Sequence, residues 1–171
     1  MFQTVITFYR SIVKHLFAVF WYNKDMKIHI GADHAGYNMK ERLKDFLAHA
    51  GYEVVDHGAY ELRPMDDYPD FIEPVARMIS ENPTEMGIIL GGSGQGEAMD
   101  ANRFANVRAI EYYGGKPEII ILGRQHNDAN VLSLGARFVS DEEAEEAVML
   151  FLGTAFSGAE HHQRRIDKID D

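Results

Sequence analysis

The sequence GIILGGSGQGEAMDANR, residues 87–103, places four glycines within six residues, between a short apolar run and a segment of good helix formers. The apolar run, Ile88-Ile89-Leu90, is brief and rich in β-branched residues, which is typical of a buried strand. A strand, a glycine loop and the start of a helix bring backbone N–H groups towards one point, where the helix dipole adds to the attraction for an anion. Glu97 follows the glycines, and it either stabilises the first turn of its own helix or acts as a base on a ligand that the glycines hold.

Strands and helices alternate on both sides of this stretch. The patterns predict strands at residues 27–31, 53–56, 86–90, 107–110 and 130–134, and helices at 38–50, 69–82, 141–152 and 157–170. This alternation predicts one α/β domain in three layers, with a five-stranded parallel sheet in the order 2-1-3-4-5 and helices on both faces. Residues 118–122 stay ambiguous, because three consecutive isoleucines favour a strand whereas residues 122–127 have the character of a helix end.

The topology of such a sheet predicts where a ligand binds. In open parallel sheets, ligands lie beyond the carboxyl ends of the strands, at the point where the chain reverses its winding direction. Strands 1 and 3 flank that point, and they are followed by the two most polar, glycine-bearing loops, 32–36 and 91–97. In isolation Asp33 and His34 have the character of a helix-capping pair, but beside Glu97 they favour a binding site.

The composition excludes several classes of function. With 27 acidic and 17 basic residues, the 171-residue chain has a formal net charge of -10, which argues against a nucleic-acid surface. It has no cysteine, which excludes disulfides, thiolate catalysis and cysteine-based metal sites and fits a cytoplasmic location. No histidine spacing of the HExxH kind favours zinc, and we expect neither a metal nor another cofactor.

Residues 1–25 differ in composition from the rest of the chain. They are aromatic and apolar, but basic residues interrupt them, and their longest clean apolar run, 16–22, is too short to span a membrane. The pattern of a secretory signal is also missing. An interfacial amphipathic helix is one interpretation. We favour translated upstream sequence, with the domain covering residues 26–171 and no membrane partner.

The remaining polar motifs leave alternatives open. A dinucleotide fingerprint has the spacing G-x-G-x-x-G, whereas here the third glycine, Gly96, comes one place early, and no P-loop lysine follows. His126-Asn127 precedes the fifth strand and Arg137 follows it, while the terminal helix places His161 and Arg165 four residues apart on one face. The simple interpretation is that these residues lie at solvated helix ends. The more specific interpretation is that they bind an anion.

These residues together resemble the ribose-5-phosphate isomerase B family, which also includes the galactose-6-phosphate isomerase subunits. The resemblance covers residues 26–169, and its motifs are 31–36 (GADHAG), 67–69 (DYP), 91–97 (GGSGQGE), 101–102 (AN), 126–127 (HN) and 162–167 (HQRRID). It implies a Rossmann-like α/β fold. It also implies an enzyme that works without metal or nucleotide as a homodimer, or as a tetramer, with each active site built from two chains.

The resemblance also implies the catalytic groups. Many members use a cysteine base in the loop after strand 3, and this chain resembles the branch that uses a glutamate, so Glu97 is the implied base. His126 is implied to help open the furanose ring. The enediolate oxygen is implied to be bound by Ser93 and by the amides of Gly92, Gly94, Gln95 and Gly96.

The other implied residues bind the substrate. Asp33 contacts sugar hydroxyls, and the phosphate is held by His34, Arg137 and Arg165, from one chain or its partner. Asn127 and His161 belong to the same binding set. The family usually has an arginine where this chain has His161, which implies a weakened or retuned phosphate site.

These implications predict an aldose–ketose isomerase of the pentose phosphate pathway, which interconverts ribose 5-phosphate and ribulose 5-phosphate through an enediolate. An isomerase for a six-carbon sugar phosphate, such as allose or galactose 6-phosphate, is the main alternative. A nucleotide-binding module and a non-catalytic sugar-phosphate sensor are alternatives from other classes of protein.

Overall fold

Strands and helices alternate from residue 27 to residue 153, and one more helix follows, within residues 26–170, the part of the chain that the computed structural model describes. The interpretation of residues 1–25 lies outside this range. The strands are β1 (Lys27–Ala32), β2 (Glu53–Asp56), β3 (Met86–Gly91), β4 (Ala109–Tyr112) and β5 (Val131–Gly135). The helices are α1 (Tyr37–His49), α2 (Pro69–Glu81), α3 (Gln95–Ala101), α4 (Glu118–Asn127), α5 (Asp141–Gly153) and α6 (Glu160–Asp170).

The five strands form one parallel sheet in the order β2-β1-β3-β5-β4. The predicted parallel sheet is confirmed, and so is the pairing of strands 1 and 3, but the predicted order of the last two strands is wrong. Burial explains why β5, rather than β4, lies next to β3. All five residues of β5 are buried, as the inner strands of a parallel sheet require, whereas three of the four residues of β4 are partly exposed at the edge.

Helices cover both faces of the sheet, as predicted. The side chains of β1 alternate, so Ile28 and Ile30 pack with α1, α4 and α5 in the larger core. On β3, Ile89 points to the other face and joins the smaller core beneath α2. None of the helices within residues 26–170 combines the length and apolar character needed to cross a membrane.

The ambiguous residues 118–122 form the first half of α4. Ile120 is fully buried, and the next buried positions of the helix are Gly123 and Arg124, which is helical spacing. Ile119 and Leu122 remain exposed. The isoleucines therefore reflect one buried face and one apolar surface rather than a strand, and tertiary packing overrides their strand propensity.

A buried lysine joins α1 to the edge strand β2. The Lys40 side chain is fully buried, and its Nζ lies 2.9 Å from Asp56 Oδ2 and 2.5 Å from Glu41 Oε1. Burial alone raises the pKa of Asp56, but hydrogen bonds from Lys44, the Gly58 N–H and Lys40 bring it below the ordinary value. This group of charges therefore stabilises the fold only while all of its members are present.

We expect Lys40→Ala to lower the free energy of unfolding by about 3 kcal/mol, because it leaves a buried carboxylate without one of its cations. Lys27→Ala is the control, since the Lys27 side chain is about half exposed and its Nζ lies 3.6 Å from Glu53 Oε1; it should cost less than about 1 kcal/mol. Urea denaturation of the two variants measures the difference. Equal losses would contradict the assignment of a structural ion pair to Lys40.

Candidate active site

The glycine loop connects β3 to α3 and carries the predicted base. The carboxylate of Glu97 folds back over the end of β3, so that a Cβ atom added at Gly91 would lie 1.7 Å from Glu97 Oε1. Gly94 precedes the helix with a φ of 84°, a left-handed conformation that favours glycine. The hydroxyl of buried Ser133 donates to the carbonyl oxygen of Gly94 at 2.6 Å, so β5 holds the loop in place.

Glu97 is itself buried, with 5 % of its surface exposed. Burial raises the pKa of its carboxyl group; a hydrogen bond from its own backbone N–H opposes this, and the negative charges of Asp33, Glu111 and Asp100 add to the rise. A raised pKa makes a carboxylate a better proton acceptor near neutral pH. Of the two interpretations of Glu97, this environment favours the base, because a carboxylate that only stabilised its helix would lie in solvent.

The loop after β1 packs against the end of β3, where the glycine loop begins. A Cβ atom added on Gly36 would lie only 2.7 Å from Leu90 of β3. Asp33 Oδ1 accepts hydrogen bonds from the N–H groups of Ala35 and Gly36. Asp33 therefore holds the turn before α1 rather than capping the helix, whose N-cap residue Gly36 has no side-chain cap, and Asp33 Oδ2 lies 3.5 Å from His34 Nδ1. The two predicted loops meet at the β1–β3 crevice.

His34 is held by Asp66, a residue that the sequence did not single out. Asp66 Oδ1 accepts from the His34 backbone N–H at 2.9 Å and lies 2.6 Å from His34 Nδ1. Asp66 Oδ2 is buried and has no hydrogen-bond partner among residues 26–170. A ring nitrogen and a carboxylate oxygen at this distance share a proton.

Asp33, His34 and Asp66 also bring three potential metal-ligand atoms within 4.8 Å of one another. The short contact between His34 Nδ1 and Asp66 Oδ1 makes that nitrogen a hydrogen-bond donor, and both carboxylates lie at Nδ1, so the remaining ring nitrogen, Nε2, does not converge with them on one ion. The residues present therefore fit an oriented histidine better than a metal centre.

Two further side chains cover the glycine loop. The guanidinium of Arg137 lies 3.4 Å from the position that a Cβ atom of Gly92 would take. The backbone N–H of Arg137 donates to the carbonyl oxygen of Gly92. Tyr68 packs over Gly96, because its ring atom Cζ lies 3.0 Å from the position that a Cβ atom of Gly96 would take. Arg137 was a predicted site residue; Tyr68 was predicted only as part of a motif.

The remaining predicted residues lie together at a second cavity between α4 and α6. We call this cavity the α4–α6 cleft, and its volume is about 360 Å³. His126 at the end of α4 stacks on His162 of α6, and their ring centroids are 4.2 Å apart. The ring centroids of His161 and His162 are 4.0 Å apart. Burial and the neighbouring His161, His126 and Arg165 lower the pKa of His162. The polar residues that line the cleft are Glu111, His126, Asn127, His162 and Arg165.

The predicted residues thus fall into two groups. Asp33, His34, Arg137 and the loop from Gly92 to Glu97 lie at the β1–β3 crevice, whereas His126, Asn127 and Arg165 line the α4–α6 cleft and His161 packs beside it against His162. Glu111 borders both, since it lines the cleft and its charge acts on Glu97. Burial raises the pKa of Glu111, and its Oε1 has no hydrogen-bond partner among residues 26–170.

In this open parallel sheet, the central strand β3 is followed by a loop of backbone amides and by the buried carboxylate of Glu97. This arrangement defines an α/β protein with a small-molecule site at the switch point of its topology. The chain belongs to the ribose/galactose isomerase family, whose model matches residues 28–169. The family predicted from the motifs is confirmed.

Individual relatives agree with the family model. Ribose-5-phosphate isomerase B of Mycobacterium tuberculosis is 39% identical over 142 residues, which cover 83% of this chain and 86% of the relative. The Escherichia coli enzyme of the same name is 37% identical over 138 residues, covering 81% and 91%. The structure of Mycoplasma genitalium ribose-5-phosphate isomerase B with bound ribulose-5-phosphate superposes with a TM-score of 0.81 at 39% identity, covering 85% of this chain and 94% of that one.

Proposed function

We propose that this chain is an aldose–ketose isomerase that interconverts ribose 5-phosphate and ribulose 5-phosphate through an enediolate, with Glu97 as the base. The observation that carries the proposal is a buried glutamate with a raised pKa, folded over the strand end at the head of an amide-rich loop. Three relatives that share 37% to 39% of their residues with this chain bear the name of this activity, and one of them was solved with ribulose-5-phosphate bound.

The reaction needs few groups. In the open-chain aldose, the base removes the proton from C2, and the electrons of that bond form the C1–C2 double bond while negative charge develops on the oxygen of C1. The proton then returns to C1, and the hydroxyl proton of O2 is transferred to the oxygen of C1, so that C2 becomes the carbonyl carbon of the ketose. Glu97 supplies the base, and the N–H groups of residues 92–96 with Ser93 supply donors for the developing oxyanion.

Binding of the phosphate orients the reacting carbons. Arg137 beside Gly92 and His34 beside Asp33 supply cationic and hydrogen-bonding groups at the rim of the crevice. A phosphate held at the rim fixes the sugar so that C2 faces Glu97, which saves the entropy of orienting it during the reaction. In this proposal a sugar hydroxyl donates a hydrogen bond to Asp33 Oδ2.

The chain is further proposed to act as a homodimer in which the α4–α6 cleft of one protomer completes the crevice of the other. Two observations support this. His126 and Arg165, which the family resemblance assigns to the active site, belong to a group separate from the crevice. Large apolar side chains are also exposed around the two groups, as at a protein interface: Met99, Tyr113, Ile119, Leu122 and Phe138.

Complementation tests the shared site. Glu97→Gln and His126→Asn should each be inactive alone, but a one-to-one mixture that is unfolded and refolded together should regain about a quarter of wild-type activity, because half of the dimers then hold one intact site of two. A mixture of the double variant Glu97→Gln/His126→Asn with wild type is the control for exchange of protomers, because both sites of its mixed dimers are inactive, so exchange should lower the activity from about half to about a quarter of the wild-type value. If the mixture of the two variants stays inactive while protomers exchange, each chain carries a complete site.

Substrate choice is tested by steady-state kinetics. We expect a higher kcat/KM for ribose 5-phosphate than for allose 6-phosphate or galactose 6-phosphate. His161, at the position where the family usually has an arginine, is the observation that favours a six-carbon substrate as the second candidate. A preference for a six-carbon sugar phosphate would replace the substrate but keep the reaction. Binding without exchange of the C2 proton with solvent would overturn the reaction itself.

The pH dependence of kcat/KM should report Glu97. A base acts only when it is deprotonated, so activity falls as the pH falls through the raised pKa of Glu97. Glu111→Gln removes one of the negative charges that raise it, so the acid limb should move to lower pH, although only part of the way, because burial is the larger cause. Glu142→Gln, an exposed change on α5, is the control. An acid limb that Glu111→Gln leaves in place would contradict this assignment.

A further inference from the structure

The contact between His34 and Asp66 determines how the histidine is presented. Asp66 Oδ1 accepts from the backbone N–H of His34 and lies 2.6 Å from its ring nitrogen Nδ1, so one oxygen fixes both the loop and the ring. The Asp66 side chain is 11% exposed and the His34 side chain 28%. The buried carboxylate thus lies behind a ring whose other edge remains accessible.

The proton positions follow from elementary chemistry. Two lone pairs 2.6 Å apart repel, so Nδ1 must carry the proton that Asp66 accepts. Asp33 Oδ2, 3.5 Å from the same nitrogen, adds a second carboxylate on that edge. With Nδ1 committed to this edge, Nε2 is directed away from both carboxylates.

Charge alone opposes anion binding here. Asp33 and Asp66 place two carboxylates beside the position where the proposed function puts a phosphate. An anion can bind next to them only through donors held in a fixed direction, since the local charge repels it.

We propose that Asp66 is a positioning residue, which accepts a hydrogen bond from His34 Nδ1–H and so holds the ring with Nε2 aimed at the phosphate of the sugar phosphate; with both ring nitrogens protonated, Nε2–H donates to a phosphate oxygen. This inference rests on the proposed function for the identity of the ligand. It gives Asp66 a role through His34, with no contact of its own to the substrate.

Two substitutions separate positioning from charge. Asp66→Ala removes the acceptor, whereas Asp66→Asn removes the charge but keeps an oxygen that accepts from Nδ1. If Asp66 positions His34, the Kd of ribose 5-phosphate should rise about tenfold in Asp66→Ala and change less than about threefold in Asp66→Asn. If Asp66 acts only as a negative charge near an anion, both substitutions should tighten binding, and the proposal is overturned.

The binding measurement is made by calorimetry in the Glu97→Gln background, where the ligand is not turned over. Asp45→Ala, an exposed carboxylate on α1, is the matched control. In a His34→Ala background, Asp66→Ala should change the Kd by less than about twofold, because the two residues act as one unit. A full additional loss there would mean that Asp66 only supports the loop, and would overturn the proposal.

A spectroscopic measurement remains informative if Asp66→Ala does not fold. The ¹⁵N resonance of His34 Nδ1 in the wild-type protein should have the shift of a protonated nitrogen; an unprotonated Nδ1 would overturn the proposal. These readouts do not depend on turnover. If the wild-type protein bound ribose 5-phosphate without isomerising it, the proposed function would fail, while the result for Asp66 would stand.

Discussion

Glu97→Gln is expected to lower kcat for ribose 5-phosphate by at least about 10³-fold, because a neutral amide cannot take the C2 proton. The amide has almost the same shape as the carboxylate, so substrate binding should persist and the loss should fall on kcat rather than on KM. Steady-state kinetics with the purified protein measure both. A rate near that of the wild type would exclude Glu97 as the base.

The stability of the same variant provides a check on folding. The pKa of Glu97 is higher in the folded protein than the ordinary value, so the unfolded chain holds the ionised form more readily. The ionised carboxylate therefore costs folding free energy at all pH values above the raised pKa, and this cost disappears below the unfolded pKa. Glu97→Gln should consequently show a Tm at neutral pH no lower than that of the wild type.

Gly91→Ala is expected to lower kcat/KM by about 10²-fold, because displacing a catalytic group by about 1 Å has an effect of that size. An added Cβ would lie 1.7 Å from Glu97 Oε1 and 2.1 Å from its Cδ, so the carboxylate must leave its position over β3. The backbone of β3 gives no other reason for glycine, since no left-handed φ is found at this residue.

The control for this substitution is Gly153→Ala at the end of α5, where an added Cβ meets no atom of residues 26–170 within 4 Å. It should leave kcat/KM unchanged within about twofold, as expected for a surface change away from the site. If Gly91→Ala kept wild-type activity, the observed position of the Glu97 carboxylate would not be the catalytic one.

Much of the fold follows from local pattern. The short apolar run before the glycines, and the glycines themselves, predicted β3, its loop and α3, because strand burial and helix initiation are encoded within a few residues. The pairing of strands 1 and 3 followed from the usual topology of parallel sheets. The exchange of β4 and β5 did not follow, since it depends on which strand is buried on both faces, and Ala109–Tyr112 and Val131–Gly135 are both short and apolar enough to occupy either place.

The site was predictable where residues adjoin the glycine loop or the first strand. Asp66 and Glu111 were not assigned to it, because only the folded chain brings the long loop after β2 against His34 and the edge strand β4 near Glu97. A polar residue in a loop and a single acid in a strand carry no local signal. Burial without a hydrogen-bond partner identifies them, and that property exists only in three dimensions.

The contact between residues 91 and 97 constrains how such an enzyme changes through evolution. A side chain at 91 and a carboxylate folded over it at 97 compete for the same volume, so the two positions can be altered only in concert. Engineering that introduces a side chain at 91 while keeping Glu97 should therefore overfill the site, and removing Glu97 alone should leave the site without its proposed base.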